Sequence, residues 1–503
     1  LKIIIDEGLY DKDFVEKWTV GFDQLKDHIA AFTPERVSEI TWIRKDKILE
    51  AARIYATTKP ACLTWGLGCD KQGVNLTHVA RTRSILRAIT GNLDVKGGDL
   101  ISLSGPLGKV VSDVEMELNE TLLPDQRRKQ LGGVDYRLFS YPGWERTSDA
   151  ASKMPPTYIR PPTAAMTAQA NPRTVWQAAI EGRPYPIKGM IVLAGNPLMS
   201  LTSTKLVHRA LKRLELLVVM DYYMSPTAEL ADYVLPAAST LERSDIATTG
   251  PRVVACPKAM EPLYERRGDY EFWRELGLRL GQREYWPWKT AEEVCDYRLK
   301  PLGITFEELT AKYEVFAPHE DKQYEKYGFG TPSRKVELYS SILDELGFDP
   351  LPSYSEPPES PVSAPETAKD YPLIMNTGGR FMPMYHSELR QISSAREMVP
   401  DPIVDVHPQT ARTLGIADGD WVWVETRRGK IKQRARLTEE VDPRMAHLQH
   451  GWWFPEMPAE DPGLHGLYES NANVLCTDDP EYCSKEVGAW PDTALLCKIY
   501  KAS

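Results

Sequence analysis

Two uninterrupted apolar runs, separated by one stretch of helical spacing, constrain this chain more tightly than any other feature. GMIVLAGNP, following Lys188, reads as a strand ending in a tight turn; Ser203–Leu214 reads as a helix; Leu216–Met220 (LLVVM) is a second continuous apolar run. Runs of this length without polar alternation suit strands buried on both faces. Strand, helix and strand at this spacing make a parallel βαβ unit. Residues 226–235 (PTAELADYVL) add a short helix and strand, and Tyr270–Leu280 an amphipathic helix. Upstream, Thr77–Thr90 sets Val79, Leu86 and Ile89 on one helical face before Gly91-Asn92 stops the helix. Ala61–Gly66 (ACLTWG) reads as a short apolar strand entering a glycine-bearing loop.

The grammar changes after a proline-dense stretch containing Pro350, Pro352, Pro357, Pro358, Pro361 and Pro365. Beyond it, Asp420–Glu425 and Lys430–Leu437 alternate around an Arg-Gly turn as hairpin strands do, and Ala494–Tyr500 is a last strand. The expected division is a partial α/β domain at 1–104 and a second α/β, cofactor-binding domain at 105–349. A linker at 350–371 and a β-barrel at 372–503 follow. Within the second domain, residues 106–186 are rich in Pro, Gly and Arg and are expected as long surface insertions. The opening LKIIIDEGLYDKDF reads as the middle of a helix, so one piece of a larger polypeptide is expected.

Composition removes several classes. Lys and Arg number 61 against 71 Asp and Glu, a formal net charge of −10. Nucleic-acid wrappers and polybasic membrane binders need the opposite balance. No apolar run approaches the ~20 residues that span a bilayer. Seven cysteines without a CxxC pair exclude a zinc ribbon and a disulfide scaffold, so reduced, mostly buried thiols and a cytoplasmic location are expected. Cys69, beside Gly68 and Asp70, reads as a small buried side chain before it reads as a reactive thiol.

Four constellations carry chemistry. Gly195-Asn196-Pro197, with Ser200 behind it, sits at the carboxyl end of a parallel strand, where open α/β sheets bind phosphate-bearing ligands. Alone it is more often a plain turn. Asp221 ends the neighbouring strand and suits ribose hydroxyls or purine N–H groups, or else a helix cap; together the two make nucleotide binding and turn chemistry even readings. Thr377, Gly378, Gly379 and Arg380, followed by His386 and Arg390, combine exposed backbone donors with cations suited to a pyrophosphate or an electron-rich heterocycle. Asn471 and Asn473 offer carboxamides that suit a pterin or purine edge, and equally suit turn chemistry.

In this order the segments WGLGCDKQG, ILRAITGNLDVKGG, LAGNPLMS, DYYMSPTAELADYVLPAASTLER, NTGGRFMPMYHSELRQ and SNANVL resemble the molybdopterin oxidoreductases of the dimethyl sulfoxide reductase superfamily. LYDKDFVEKWTVGF, TPSRKVELYSSILDELGFDPLP and the ending CKIYK look like its acetylene hydratase branch, whereas TGGR with HSELR looks like the redox members. The resemblance implies an α/β fold of Rossmann-like parallel-sheet domains followed by a C-terminal double-psi β-barrel. It implies two molybdopterin guanine dinucleotides around one Mo or W ion, with a 4Fe–4S cluster upstream of this chain. Gly195, Asn196 and Ser200 match the family's phosphate and ribose turn, and Asp221 its guanosine carboxylate. Thr377, Gly378, Gly379, Arg380 and His386 match a loop along a pterin, and Asn473 a late pterin contact. No metal ligand or catalytic residue is assigned. The implied function is metal-centred redox on a small-molecule substrate, with electrons passed through the upstream iron–sulfur cluster. The implied partners are the missing amino-terminal region of the same protein and an iron–sulfur electron-transfer subunit. A non-redox tungsten hydratase and a pterin-free structural subunit are the alternatives.

Overall fold

The two apolar runs lie side by side as parallel strands. The structure, a computed structural model, describes residues 1–64, 66, 68, 73–101, 110–111, 116–249, 252–316 and 319–502. Cys69 and most of the loop around it lie outside the described residues. The strand β1 is the short Thr19–Val20. β2 (Gly189–Leu193), β3 (Leu216–Asp221) and β4 (Tyr233–Pro236) form a parallel sheet in the order β2-β3-β4. Leu193 stands opposite Met220 and Asp221 opposite Pro236, so all three strands end at one edge. The crossover helix Thr204–Leu211 buries Val207, Ala210 and Leu211 in one core with Leu217 and Val219. Trp176, on the helix Pro172–Glu181, enters that same core. The stretch expected as surface insertion therefore supplies part of the scaffold, because its helices Tyr141–Ser152 and Pro172–Glu181 each bury an apolar face.

β5 (Asp245–Thr249), β6 (Arg252–Cys256) and β7 (Glu314–Phe316) make a small antiparallel sheet, and β8 (Val336–Glu337) pairs with β1. The helix Leu76–Ile89 forms; of the face read from the spacing, Ile89 is buried and Val79 and Leu86 are half-buried, with Ile85 and Ala88 buried as well, and Gly91 at φ 67° lies just past its end. One expected strand does not form. Across 61–64 the backbone is satisfied by side chains instead: Asn92 Oδ1 accepts from Ala61 N at 3.0 Å and Asp99 Oδ2 from Leu63 N at 3.0 Å, while Arg83 donates to Leu63 O. Apolar composition gave a strand's propensity, but no neighbouring strand among the described residues supplies a ladder.

The proline-rich stretch 350–371, read as an interdomain linker, is held by packing and hydrogen bonds to both the amino-terminal helices and the barrel. Asn75 exchanges two hydrogen bonds with the backbone of Ser355, at 2.7 and 2.9 Å, tying the stretch to the amino-terminal helices. Farther on, Glu359 is buried against the barrel and Pro365–Asp370 forms a short helix. Proline removes the backbone donor and fixes φ, which suits an extended segment whose remaining groups are met by side chains.

β9 (Leu373–Gly379), β10 (Ile403–Val406), β11 (Trp421–Thr426), β12 (Gly429–Leu437), β13 (Met445–Gln449) and β14 (Thr493–Lys501) close into a six-stranded barrel. Alternate residues Val422, Val424, Ile431 and Ala435 point into one core with Val404, Leu448 and Leu495. The hairpin read from the sequence is β11–β12. The fold class is α/β with parallel-sheet units and a closed β-barrel in the carboxyl-terminal region.

Candidate functional site

β2 ends at Leu193, and Ala194 turns the chain at φ 51° into Gly195 and Asn196. A left-handed alanine is strained by its own Cβ, and such strain gathers where a site dictates backbone direction. Gly195 has no such backbone need, and a Cβ on it would meet nothing closer than Leu193 O at 3.7 Å. Neither packing nor φ demands glycine there, and the residue leaves its backbone exposed at the strand end. Asn196 is pinned on both sides of its carboxamide. Its Oδ1 accepts from Thr227 Oγ1 at 2.6 Å and its Nδ2 donates to Ser387 Oγ at 3.2 Å. Buried Thr227 also accepts from Leu198 N at 3.2 Å, and exposed Ser200 donates to Asn196 O at 3.0 Å.

Asp221 stands at the same edge, one strand over. Its carboxylate accepts from Tyr222 N at 2.7 Å and from Ser225 Oγ at 2.8 Å, contacts of the capping kind. A carboxylate offers about four lone-pair sites, so acceptor capacity remains on this half-buried group. Tyr222, Tyr223 and Met224 beside it are all exposed, placing flat and polarizable side chains next to the carboxylate.

Ser387 brings in the barrel. It lies in the loop after β9, whose first residues divide by role. Thr377 spends both its N–H and its hydroxyl on Asp492 O, at 2.8 and 2.9 Å, and holds the barrel rather than facing outward. Gly378 sits at φ 98°, where glycine is required, with nothing within 4 Å of a Cβ position. Gly379 packs so closely that a Cβ would meet Leu448 O at 2.8 Å. Arg380 is exposed, 5.3 Å from the Tyr385 ring and with Nη2 3.1 Å from His386 Nε2. His386 Nδ1 lies 3.0 Å from His450 Nε2, and His450 Nδ1 lies 3.2 Å from Gly379 O. Burial, and then the neighbouring His386, push the His450 imidazole down to about 4. Arg390 is 2 % exposed and works as scaffold, donating to the Glu388, Tyr385 and His450 carbonyls with its guanidinium 5.3 Å from the Trp452 ring. Burial lowers its pKa to about 9.

Asn473 donates to Met199 O at 2.7 Å, and Asn471 to Leu198 O at 3.4 Å and Thr204 Oγ1 at 3.3 Å. Both carboxamides thus hold the turn that follows Gly195, linking the barrel to the parallel sheet. Gly195, Asn196, Ser200 and Asp221 gather at one sheet edge, and the Asn196–Ser387 bond joins that edge to the loop carrying Gly378, Arg380 and His386. Thr227, Ser387 and His450 escaped the sequence reading. No sequence signal marked His450, which the structure places one past β13, the strand that pairs with β9. A cleft of about 280 Å³ opens at the start of the helix Thr204–Leu211, lined in part by Lys205, Arg209 and Arg428, and includes none of the singled-out residues. Among the described residues no group of three or more His, Cys, Asp or Glu is placed to hold a metal, and no helix is long and apolar enough to cross a membrane.

Comparison with known proteins agrees with this geometry. Residues 131–279 match the molybdopterin oxidoreductase family, and residues 373–489 match the molydopterin (molybdopterin) dinucleotide binding domain. Acetylene hydratase of Syntrophotalea acetylenica is 35% identical over 100% of this chain and 69% of its own length. Dopamine dehydroxylase of Eggerthella lenta is 27% identical, covering 96% of this chain and 53% of that protein. The thiosulfate reductase molybdopterin-containing subunit of Salmonella typhimurium is 26% identical, covering 93% and 62%. The solved acetylene hydratase from Pelobacter acetylenicus superposes with a TM-score of 0.93 at 34% identity, over 100% of this chain and 69% of that one. The chain thus spans about half to two-thirds of the length of these relatives. A parallel-sheet edge with an exposed glycine, a barrel loop bonded to it and both domain matches lead to one conclusion: the chain belongs to the molybdopterin oxidoreductase family.

Proposed function

We propose that this chain holds molybdopterin guanine dinucleotides, two per Mo or W ion, for an oxidoreductase acting on a small substrate. The observation that carries the reading is the exposed Gly195 at the sheet edge, with Asp221 at the next strand end and Asn196 bonded to the Arg380 loop. The residues present suit such a group. Backbone N–H groups at the turn, and the Ser200 hydroxyl once turned away from Asn196 O, suit phosphate, and a carboxylate at the next strand end suits the N–H edge of guanine. Arg380 supplies a donor-only cation for pyrophosphate or pterin. Asn473 acts here by fixing the turn. When bound, the metal centre supplies the redox chemistry, and the protein supplies binding, orientation and electrostatics. A 4Fe–4S cluster, held outside these residues in the same polypeptide or in an electron-transfer subunit, would supply the electron path. The match of 373–489 to a dinucleotide-binding domain favours a cofactor-bearing role over a structural one.

A second reading has its own support. The 35% identity to acetylene hydratase over the whole chain favours hydration, in which the metal acts as a Lewis acid on water. A dye-linked assay over candidate reducible and oxidisable substrates, run beside an acetylene-to-acetaldehyde assay, separates the two. We expect turnover to require an external electron donor or acceptor. Hydration without net electron flow would instead establish the second reading.

A further inference from the structure

The four groups around the barrel loop form a closed ring whose protons are ordered by its two ends. A guanidinium only donates and a backbone carbonyl only accepts. Arg380 Nη2 therefore donates across 3.1 Å to His386 Nε2, which must be bare. Gly379 O can only receive across 3.2 Å from His450 Nδ1, which must carry hydrogen. The 3.0 Å link between the rings is satisfied in one direction: His386 Nδ1–H to bare His450 Nε2. A proton added to either imidazole would set two N–H groups against each other. Since Gly379 precedes Arg380 in the chain, the ring ties the Arg380 side chain back to its own peptide.

The surroundings hold the ring shut. His386 sits at φ 44°, a strained value for a histidine. Gly451 packs so tightly on this loop that a Cβ would meet His386 O at 2.5 Å. Trp453 Nε1 donates to Ser387 O at 2.8 Å and Arg390 Nη2 to His450 O at 3.2 Å, clamping 450–453 against 385–390.

We propose that His450 is a positioning residue: through a one-way relay of two neutral, Nδ1-protonated imidazoles it aims Arg380 at the anionic part of the cofactor. This rests on the dinucleotide reading above. The depressed His450 pKa agrees with the neutral state.

The test uses protein labelled with ¹⁵N-histidine, whose long-range ¹H–¹⁵N spectra report the tautomer of each ring. The signals of His386 and His450 are assigned by their loss in His386→Gln and His450→Gln. Both rings should be Nδ1–H tautomers at neutral pH; an Nε2–H or doubly protonated ring at either position overturns the relay. Guanine nucleotide retained per chain after gel filtration then reads the positioning. His450→Phe should retain about tenfold less, as expected for loss of a hydrogen-bonded aim at a charged group. His450→Gln should keep most of it, since one carboxamide can both donate to Gly379 O and accept from His386. Retention in His450→Phe equal to wild type overturns the proposal. If His450→Phe does not fold, the tautomer spectra of the wild type still decide. A wild-type protein with both tautomers as stated but no guanine nucleotide would sink the cofactor reading and leave the relay standing.

Discussion

Alanine at Glu359 is expected to lower stability by about 3 kcal/mol, the low end for breaking a buried ion pair from one side. The residue is 1 % exposed in a stretch that composition alone marks as a linker. Its carboxylate accepts from Arg427 Nη2 at 2.8 Å, from Arg428 at 2.9 and 3.2 Å, and from Leu496 N at 3.1 Å. Removing it strands the mostly buried Arg428 guanidinium and a buried β14 N–H together, while the half-exposed Arg427 can turn to water. Burial pushes the Glu359 carboxyl up, but Arg428, Arg427 and the Leu496 N–H outweigh it and hold the pKa below its ordinary 4.5. Its contribution is therefore complete above that value and lost as pH falls below it. Urea unfolding of wild type and Glu359→Ala at neutral pH should show the full gap, which should narrow in acid. An unchanged midpoint at neutral pH would return the stretch to the role of a tether.

Asp221→Ala is expected to cut retention of one dinucleotide at least tenfold while the sheet stays folded. A charge-assisted hydrogen bond lost by truncation costs ~1.5–3 kcal/mol. Wild-type protein released with acid should yield about two GMP equivalents per metal, as the cofactor class implies, and the variant about one. Among the described residues its carboxylate has hydrogen bonds only from Tyr222 N and Ser225 Oγ, so thermal unfolding should shift little. A variant that unfolds early yet keeps its nucleotide would make Asp221 a cap and no more. Asp221→Asn, whose carboxamide can accept from Tyr222 N and donate to Ser225 Oγ, separates charge from shape.

The sequence by itself determined the elements whose patterns are local. LLVVM and GMIVL read as parallel strands, the 421–437 alternation as a hairpin and Gly91 as a helix stop, and all of these form. It also picked out Gly195, Asn196 and Asp221, because strand ends in a parallel sheet fall at one edge whatever surrounds them. Tertiary structure decided everything that depends on a partner distant in the chain. Strand propensity at 61–64 yielded to Asn92, Asp99 and Arg83, since a strand exists only where another pairs with it. Prolines at 350–371 reported the absence of backbone donors but could not report that Glu359 would find two arginines and an N–H on the barrel. Thr377 and Asn473 looked outward by composition and turn inward in space, because a polar side chain binds whichever complementary group the fold brings nearest. His450 shows the same limit from the other side. Nothing adjacent in sequence marks it, and only the pairing of β13 with β9 sets it between His386 and Gly379.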